Sequence, residues 1–335
     1  MRRRVVGGGL LALLLVSCGS DPPPSTPAAE PAEAPAAGRP PAGQVVQVGR
    51  VAEGVVADPQ THLVAVGLRD PARLLLVDGL NGQLRREVRM PGHLRHLQLQ
   101  APGGPVLVPA ESADTLLRVA LPGGDIVSQV PVGDFPHDAT ATAGGIVAVA
   151  NEFGGTVSVV EGDRVVHTFD DATQPGGVAA VGERVGMVDV RENTLTIYDI
   201  PGRRRIAELP AGQGPTHLAA DRRGRLFVVD SRGGAILVYG LDPEPRRLAQ
   251  LALPGRPYGI AYDSARDRLW VTLTERNELV GLDLREDQPR VATRLPTIRQ
   301  PNTVAVDSAT GRVFVASPAE GALQLVDLET DGPGS

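Results

Sequence analysis

Residues 214–255 decide the fold. They read Gly214-Pro-Thr-His-Leu-Ala-Ala-Asp221, a turn Arg222-Arg-Gly224, a strand-like run Arg225-Leu-Phe-Val-Val-Asp230 and a turn through Gly233-Gly234. A second run, Ala235-Ile-Leu-Val-Tyr239, and a third, Arg247-Leu-Ala-Gln-Leu-Ala-Leu253, carry the chain to Pro254-Gly255. The same grammar returns in 256–263, 268–272 and 279–283, and again in 300–307, 312–315 and 323–327. A period near forty residues marks a repeat architecture, and four short strands per repeat mark a propeller blade.

Pro136, Pro175, Pro215, Pro257 and Pro301 precede the innermost strand of their repeats, and Ala52 and Leu94 stand at the matching places further upstream. The anchors lie 39 to 44 residues apart, so seven blades are expected. The last repeat ends after three strands, whereas Gln44–Val51 has the character of a fourth strand with no repeat of its own. Pairing the two closes the ring and removes the open edges of a linear array. The expected fold is all-β: a seven-bladed β-propeller over 44–330 with four antiparallel strands per blade.

Composition narrows the function. The 335 residues carry 33 cationic side chains, all Arg, against 39 acids. Residues 1–17 hold three of those Arg and no acid, so a chain beginning at residue 18 would carry a formal −9. An acidic chain without basic tracts is a poor partner for nucleic acid. Aromatic residues make up only 3%, which argues against recognition by stacking.

The first residues look like an address. Arg2-Arg3-Arg4 precedes a short apolar run, Val5 to Val16, as in a secretory signal. The run ends in Leu15-Val16-Ser17-Cys18-Gly19, which resembles the lipobox of bacterial lipoproteins. That resemblance implies cleavage after residue 17 and a diacylated Cys18 in the bilayer, on the extracytoplasmic side of the cell membrane. Cys18 is the only Cys, so no internal disulfide is available. Residues 18–43 are rich in Pro and Ala, with no large apolar side chain after the lipobox, and read as a disordered tether. Residues 331–335 read as a disordered tail.

The pairs Val147-Ala-Val-Ala-Asn151 with Thr156-Val-Ser-Val-Val160, and Leu269-Trp-Val-Thr272 with Leu279-Val-Gly-Leu-Asp283, resemble the YVTN-type, YncE-like seven-bladed propellers of bacterial envelopes. The resemblance covers 44–330 and implies a binding or envelope-associated role. No blade carries the full Tyr-Val-Thr-Asn string, and the Gly-His and Trp-Asp signatures of WD40 repeats do not recur from blade to blade.

In a propeller, the loop entering the first strand of a blade and the loop leaving the second lie on one face around the central channel. Aligning the repeats brings His96, His137, Asp138, His217, Tyr258 and Asn302 to the entries, and Asn151, Asp189 and Asp230 to the exits. Polar members concentrate in blades two to five. Imidazole and carboxylate together suit a borderline divalent ion such as Zn or Mn, and an oxygen-rich subset suits Ca²⁺. His137, Asp189, His217 and Asp230 are the candidate metal set; the alternative is that these groups organise loops. Two functions follow: a non-catalytic, membrane-anchored binding scaffold for an envelope protein or small ligand, expected as a monomer, or a metal-dependent hydrolase, lactonase or lyase at the channel mouth.

Overall fold

A computed structural model describes residues 27–328. The signal segment, Cys18 and residues 331–335 lie outside them. Seven four-stranded antiparallel sheets surround a central channel. The innermost strands are Ala52–Ala57, Gln98–Leu99, Pro136–Ala141, Pro175–Val181, Pro215–Ala220, Pro257–Asp263 and Thr303–Val306. Among the described residues the only helical elements are two 3₁₀ turns, Glu111–Ala113 and Thr274–Arg276.

The ring closes as the incomplete last repeat requires. Gln44–Gln47 pairs antiparallel with Ala322–Val326 in the register Gln44↔Leu325 to Gln47↔Ala322, supplying the outermost strand of blade seven.

The second and third strands of each blade are buried on both faces, and their runs of Val, Leu and Ile fill the gaps between neighbouring blades. Phe227, Val229, Ile236 and Val238 of blade five, for example, pack against Leu269, Val271, Val280 and Leu282 of blade six. Trp270 sits fully buried among Leu279, Val304 and Val313, so it is core rather than a ligand platform.

The aspartates that end the inner strands explain part of the repeat. Asp221 accepts the Arg223 and Arg225 N–H groups at 3.0 and 2.9 Å. Asp307 accepts from Ala309 at 2.9 Å, and Asp263 from Ala265 at 3.1 Å. Each closes the turn into the second strand, as aspartate commonly does.

Five of the inner strands begin with a β-bulge. Pro136 pairs with Asn151 and Asp138 with Ala150, so His137 is the extra residue. Pro215 pairs with Asp230 and Leu218 with Val228, which places Thr216 and His217 in the bulge. Such bulges turn side chains away from the normal pleat. Here they bring the entry residues of different blades together at the channel.

Residues 27–43 follow the same face of the ring. Composition alone gave this stretch little to pack with, and much of what holds it is hydrogen bonding of its backbone, beside ion pairs such as Glu33 with Arg299. Ala32 N–H donates to Thr274 Oγ1 (3.1 Å), and Ala34 N–H to Gln300 Oε1 (2.8 Å). Gln300 Nε2 returns a bond to the Ala32 carbonyl (2.8 Å), and Asn277 Nδ2 donates to the Pro35 carbonyl (2.9 Å). Each of these partners lies in a loop entering a first strand or leaving a second, so the strap crosses the face where the entry ring lies.

Candidate functional site

Three histidines from three blades meet at the channel beneath this strap. His96 precedes the short inner strand of blade two, His137 is bulged from blade three, and His217 from blade five. The Nε2 atoms of His96 and His217 are 3.1 Å apart, and the His96 ring lies 4.6 Å from that of His137 between centroids. One ring nitrogen from each lies within 4.8 Å of the other two, close enough for the trio to hold a metal ion.

Two of the three are oriented from behind. His217 Nδ1 donates to the Tyr258 carbonyl at 2.9 Å, which leaves its Nε2 as the lone-pair nitrogen. His137 Nδ1 faces two carboxylates, Glu111 Oε1 at 3.2 Å and Glu152 Oε2 at 3.1 Å. Glu152 is held in turn by the Gln174 amide at 2.8 Å.

The charges continue away from the histidines in alternating sign. Glu111 meets Arg69 at 3.4 Å, Arg69 meets Glu53 at 3.2 Å, and Glu53 meets Arg95 at 3.4 Å. Arg95 then reaches Glu30 of the strap at 3.2 Å. Burial of so many charges is tolerable only because each has a partner.

These surroundings split the imidazoles electrostatically. Burial, reinforced by the neighbouring histidines, holds His96 well below the ordinary range. Burial likewise carries His217 down to about 3, against the opposing pull of its bond to Tyr258. Burial also works against a charge on His137, but the bonds to Glu111 and Glu152 outweigh it and lift the group to about 9. Glu152 would be raised by burial, yet its bond to His137 brings it down to about 2.

The residues named from the sequence divide into two groups. His96, His137 and His217 converge, with Tyr258 supporting His217 through its carbonyl. Asp138 stands beside them but is committed: it accepts from Gln98 Nε2 (3.0 Å), Val178 N–H (3.0 Å) and Ala139 N–H (2.8 Å). Burial raises it to about 6 even so.

Asp189 and Asp230 do not join the histidines, which corrects their place in the candidate metal set. Asp189 accepts N–H groups from Thr173, Gln174, Arg191 and Glu192 at 2.7 to 3.1 Å. Asp230 accepts from Gln213, Gly214 and Gly233 at 2.9 to 3.1 Å. Both organise loops. Asn151 donates to Thr156 and Ser158, and Asn302 accepts from Gln300, so these also serve the loop framework.

The sequence reading passed over Glu111. It lies one place after the exit residue Ala110, as Glu152 follows Asn151, so the next ring outward carries both carboxylates that hold His137.

On the other side of the histidines the channel widens into a cavity of about 500 Å³. Its wall mixes aliphatic side chains, Val55, Leu99, Ala179, Leu218, Ile260 and Val306 from six different blades, with the polar Gln98, Gln100, Thr140 and Tyr262. His96, His217 and Asp138 line its inner end, while Pro59, Ala101 and Pro102, in turns that leave inner strands, line its rim. The cavity therefore opens on the face opposite the strap.

No protein-family model and no curated protein matches the sequence. Solved structures do match. The chain is similar to Kuenenia stuttgartiensis hydrazine synthase at 14% identity and a TM-score of 0.71, over 84% of this chain and 97% of that one. It is similar to a catalytically inactive His-to-Ala variant of virginiamycin B lyase from Staphylococcus aureus with quinupristin, at 15% identity and a TM-score of 0.70, over 85% and 99% of the two chains. It is also similar to the WD40 repeats of RRP9, at 13% identity and a TM-score of 0.74, over 87% and 99%. The likeness is one of fold. Lyases and WD40 repeat proteins share it, so function must be argued from the site.

Proposed function

We propose that this chain is a lipid-anchored, YncE-like propeller on the extracytoplasmic side of a bacterial cell membrane, and that its central channel binds a small amphipathic molecule. The observation that carries the binding role is the cavity of about 500 Å³, where aliphatic side chains alternate with polar ones such as Gln98, Gln100 and Thr140. That size lies in the range of small-molecule sites, which combine apolar walls with a few convergent polar groups. The anchoring half of the reading is supported by Leu15-Val16-Ser17-Cys18 after a basic, apolar leader.

A metal-dependent hydrolase or lyase would use the same cavity, and the imidazole trio at its inner end favours that second reading. Native mass spectrometry of protein extracted from membranes tests the binding role. A co-purifying small molecule is expected with the parent chain and is lost in Ala179→Trp, which fills the channel. Binding of an envelope protein that survives Ala179→Trp, with no small molecule retained by either form, would replace the channel reading with a surface scaffold. Metabolic labelling with a palmitate analogue tests the anchor: label is expected on the parent chain, and label retained in Cys18→Ala would contradict it.

A further inference from the structure

We propose that His96, His137 and His217 together bind one divalent d-block ion of the zinc class. The ligand set differs from the one the sequence suggested, because both aspartates are replaced by a third imidazole. Imidazole nitrogen suits Zn, Fe or Ni, whereas Ca²⁺ requires oxygen ligands.

Geometry supports a four-coordinate ion. Tetrahedral bonds of ~2.0–2.1 Å place two ligand nitrogens about 3.3 Å apart. His96 Nε2 and His217 Nε2 are 3.1 Å apart with no rearrangement. His137 completes the face through Nε2, since its Nδ1 is occupied by Glu111 and Glu152.

The supporting groups are those of a built metal site. Histidine ligands characteristically give their outer N–H to a carboxylate or a backbone carbonyl, which fixes the tautomer and aims the inner nitrogen. His137 has the carboxylate arrangement and His217 the carbonyl one. Glu111 is fully buried, and its Oε2 makes no hydrogen bond, only the longer ion pair to Arg69. Its Oε1 holds His137 Nδ1 from behind, whereas the oxygens of Asp189 and Asp230 are taken up by loop N–H groups. The fourth position faces the cavity, because His96 and His217 line its inner end. Catalytic zinc sites share this arrangement of three protein ligands and one open position.

The three protein ligands alone define the site, so the inference stands apart from whatever fills the cavity. A failed ligand search would not touch it. The test is calorimetric titration of the full chain with zinc chloride, paired with visible absorption of the cobalt-loaded protein. One ion per chain and the intense band of tetrahedral cobalt are expected. His217→Ala and His96→Gln should each weaken zinc binding by more than about 100-fold. Glu111→Gln, which preserves the side-chain shape, should weaken it about 10- to 100-fold while the cobalt band survives at saturation. Because a core variant can fail for folding reasons alone, each is accepted only with a parent-like far-ultraviolet spectrum, and Glu111→Gln carries the test if the histidine variants misfold. His167→Ala, on the outermost strand of blade three, should leave binding unchanged. No zinc uptake, a weak octahedral cobalt spectrum, or equal losses in His167→Ala and His217→Ala would overturn the proposal and leave the trio as a proton-sharing cluster.

Discussion

The two ends of the central channel are built from the same seven strands and have opposite characters. At the strap end, each blade offers a different side chain, and Arg95, Glu53, Arg69, Glu111, His137 and Glu152 form one alternating chain of charges. At the open end, aliphatic residues such as Val55, Ala179 and Ile260 stand beside neutral polar ones such as Gln98 and Thr140, and no chain of charges forms. The repeat supplies equivalent backbone positions at both ends. Chemistry enters only where the equivalence is broken. The histidines stand at the join, facing the charged chain on one side and the largely uncharged cavity wall on the other.

The charged end depends most on Arg95. Arg95→Ala leaves Glu53 with one cation fewer in a buried setting and should cost about 3–5 kcal/mol in urea unfolding, as loss of one partner of a buried pair does. A cost below about 1 kcal/mol would show that water replaces the guanidinium and that the strap end is wetter than its ion pairs imply.

Next in size is a pH effect at Asp138. Its folded pKa of about 6 lies above the ordinary 3.8, so the folded state holds the proton longer than the unfolded chain. Stability therefore falls as pH rises from about 4 to 6. The loss is about 3 kcal/mol, since each pH unit between the folded and unfolded pKa is worth ~1.36 kcal/mol. The unfolding free energies of the parent and Asp138→Asn, compared at pH 4 and pH 7, should diverge in that sense. A constant difference would mean that Gln98, Val178 and Ala139 keep Asp138 ionised throughout.

The strap responds to a smaller change. Ala34→Pro keeps the segment extended and removes only the N–H that Gln300 accepts. The expected loss is about 1 kcal/mol, with hydrogen exchange accelerated in 27–35 and unchanged at the open end. The smallest effect belongs to the cavity rim. Ala101→Trp, at an exposed position, should alter stability by no more than about 0.5 kcal/mol in denaturant titration while obstructing ligand entry.

The fold was legible because it depends on repetition. The anchor spacing counted the blades, and the unpaired Gln44–Val51 run announced the closure seen as Gln44↔Leu325. The rings were legible too, since entry and exit residues prove to be register partners, as with Pro136 and Asn151. Within a ring, sequence could not separate a loop organiser from a site residue. Asp230 and His217 both looked like ligands, yet the Asp230 oxygens are consumed by local N–H groups and His217 faces the channel. Glu111 was hidden because its role depends on a neighbour 26 residues away in the next blade. The strap was hidden for another reason: composition measures apolar area, and residues 27–35 are held mainly by backbone hydrogen bonds.

X-ray absorption at the zinc edge of the zinc-loaded full chain tests the central claim most directly. Four light ligands at about 2.0 Å are expected, three of them showing the outer-shell scattering of imidazole rings. Six oxygen-like neighbours without imidazole scattering would place the ion elsewhere and leave the junction of the two channel ends without a metal.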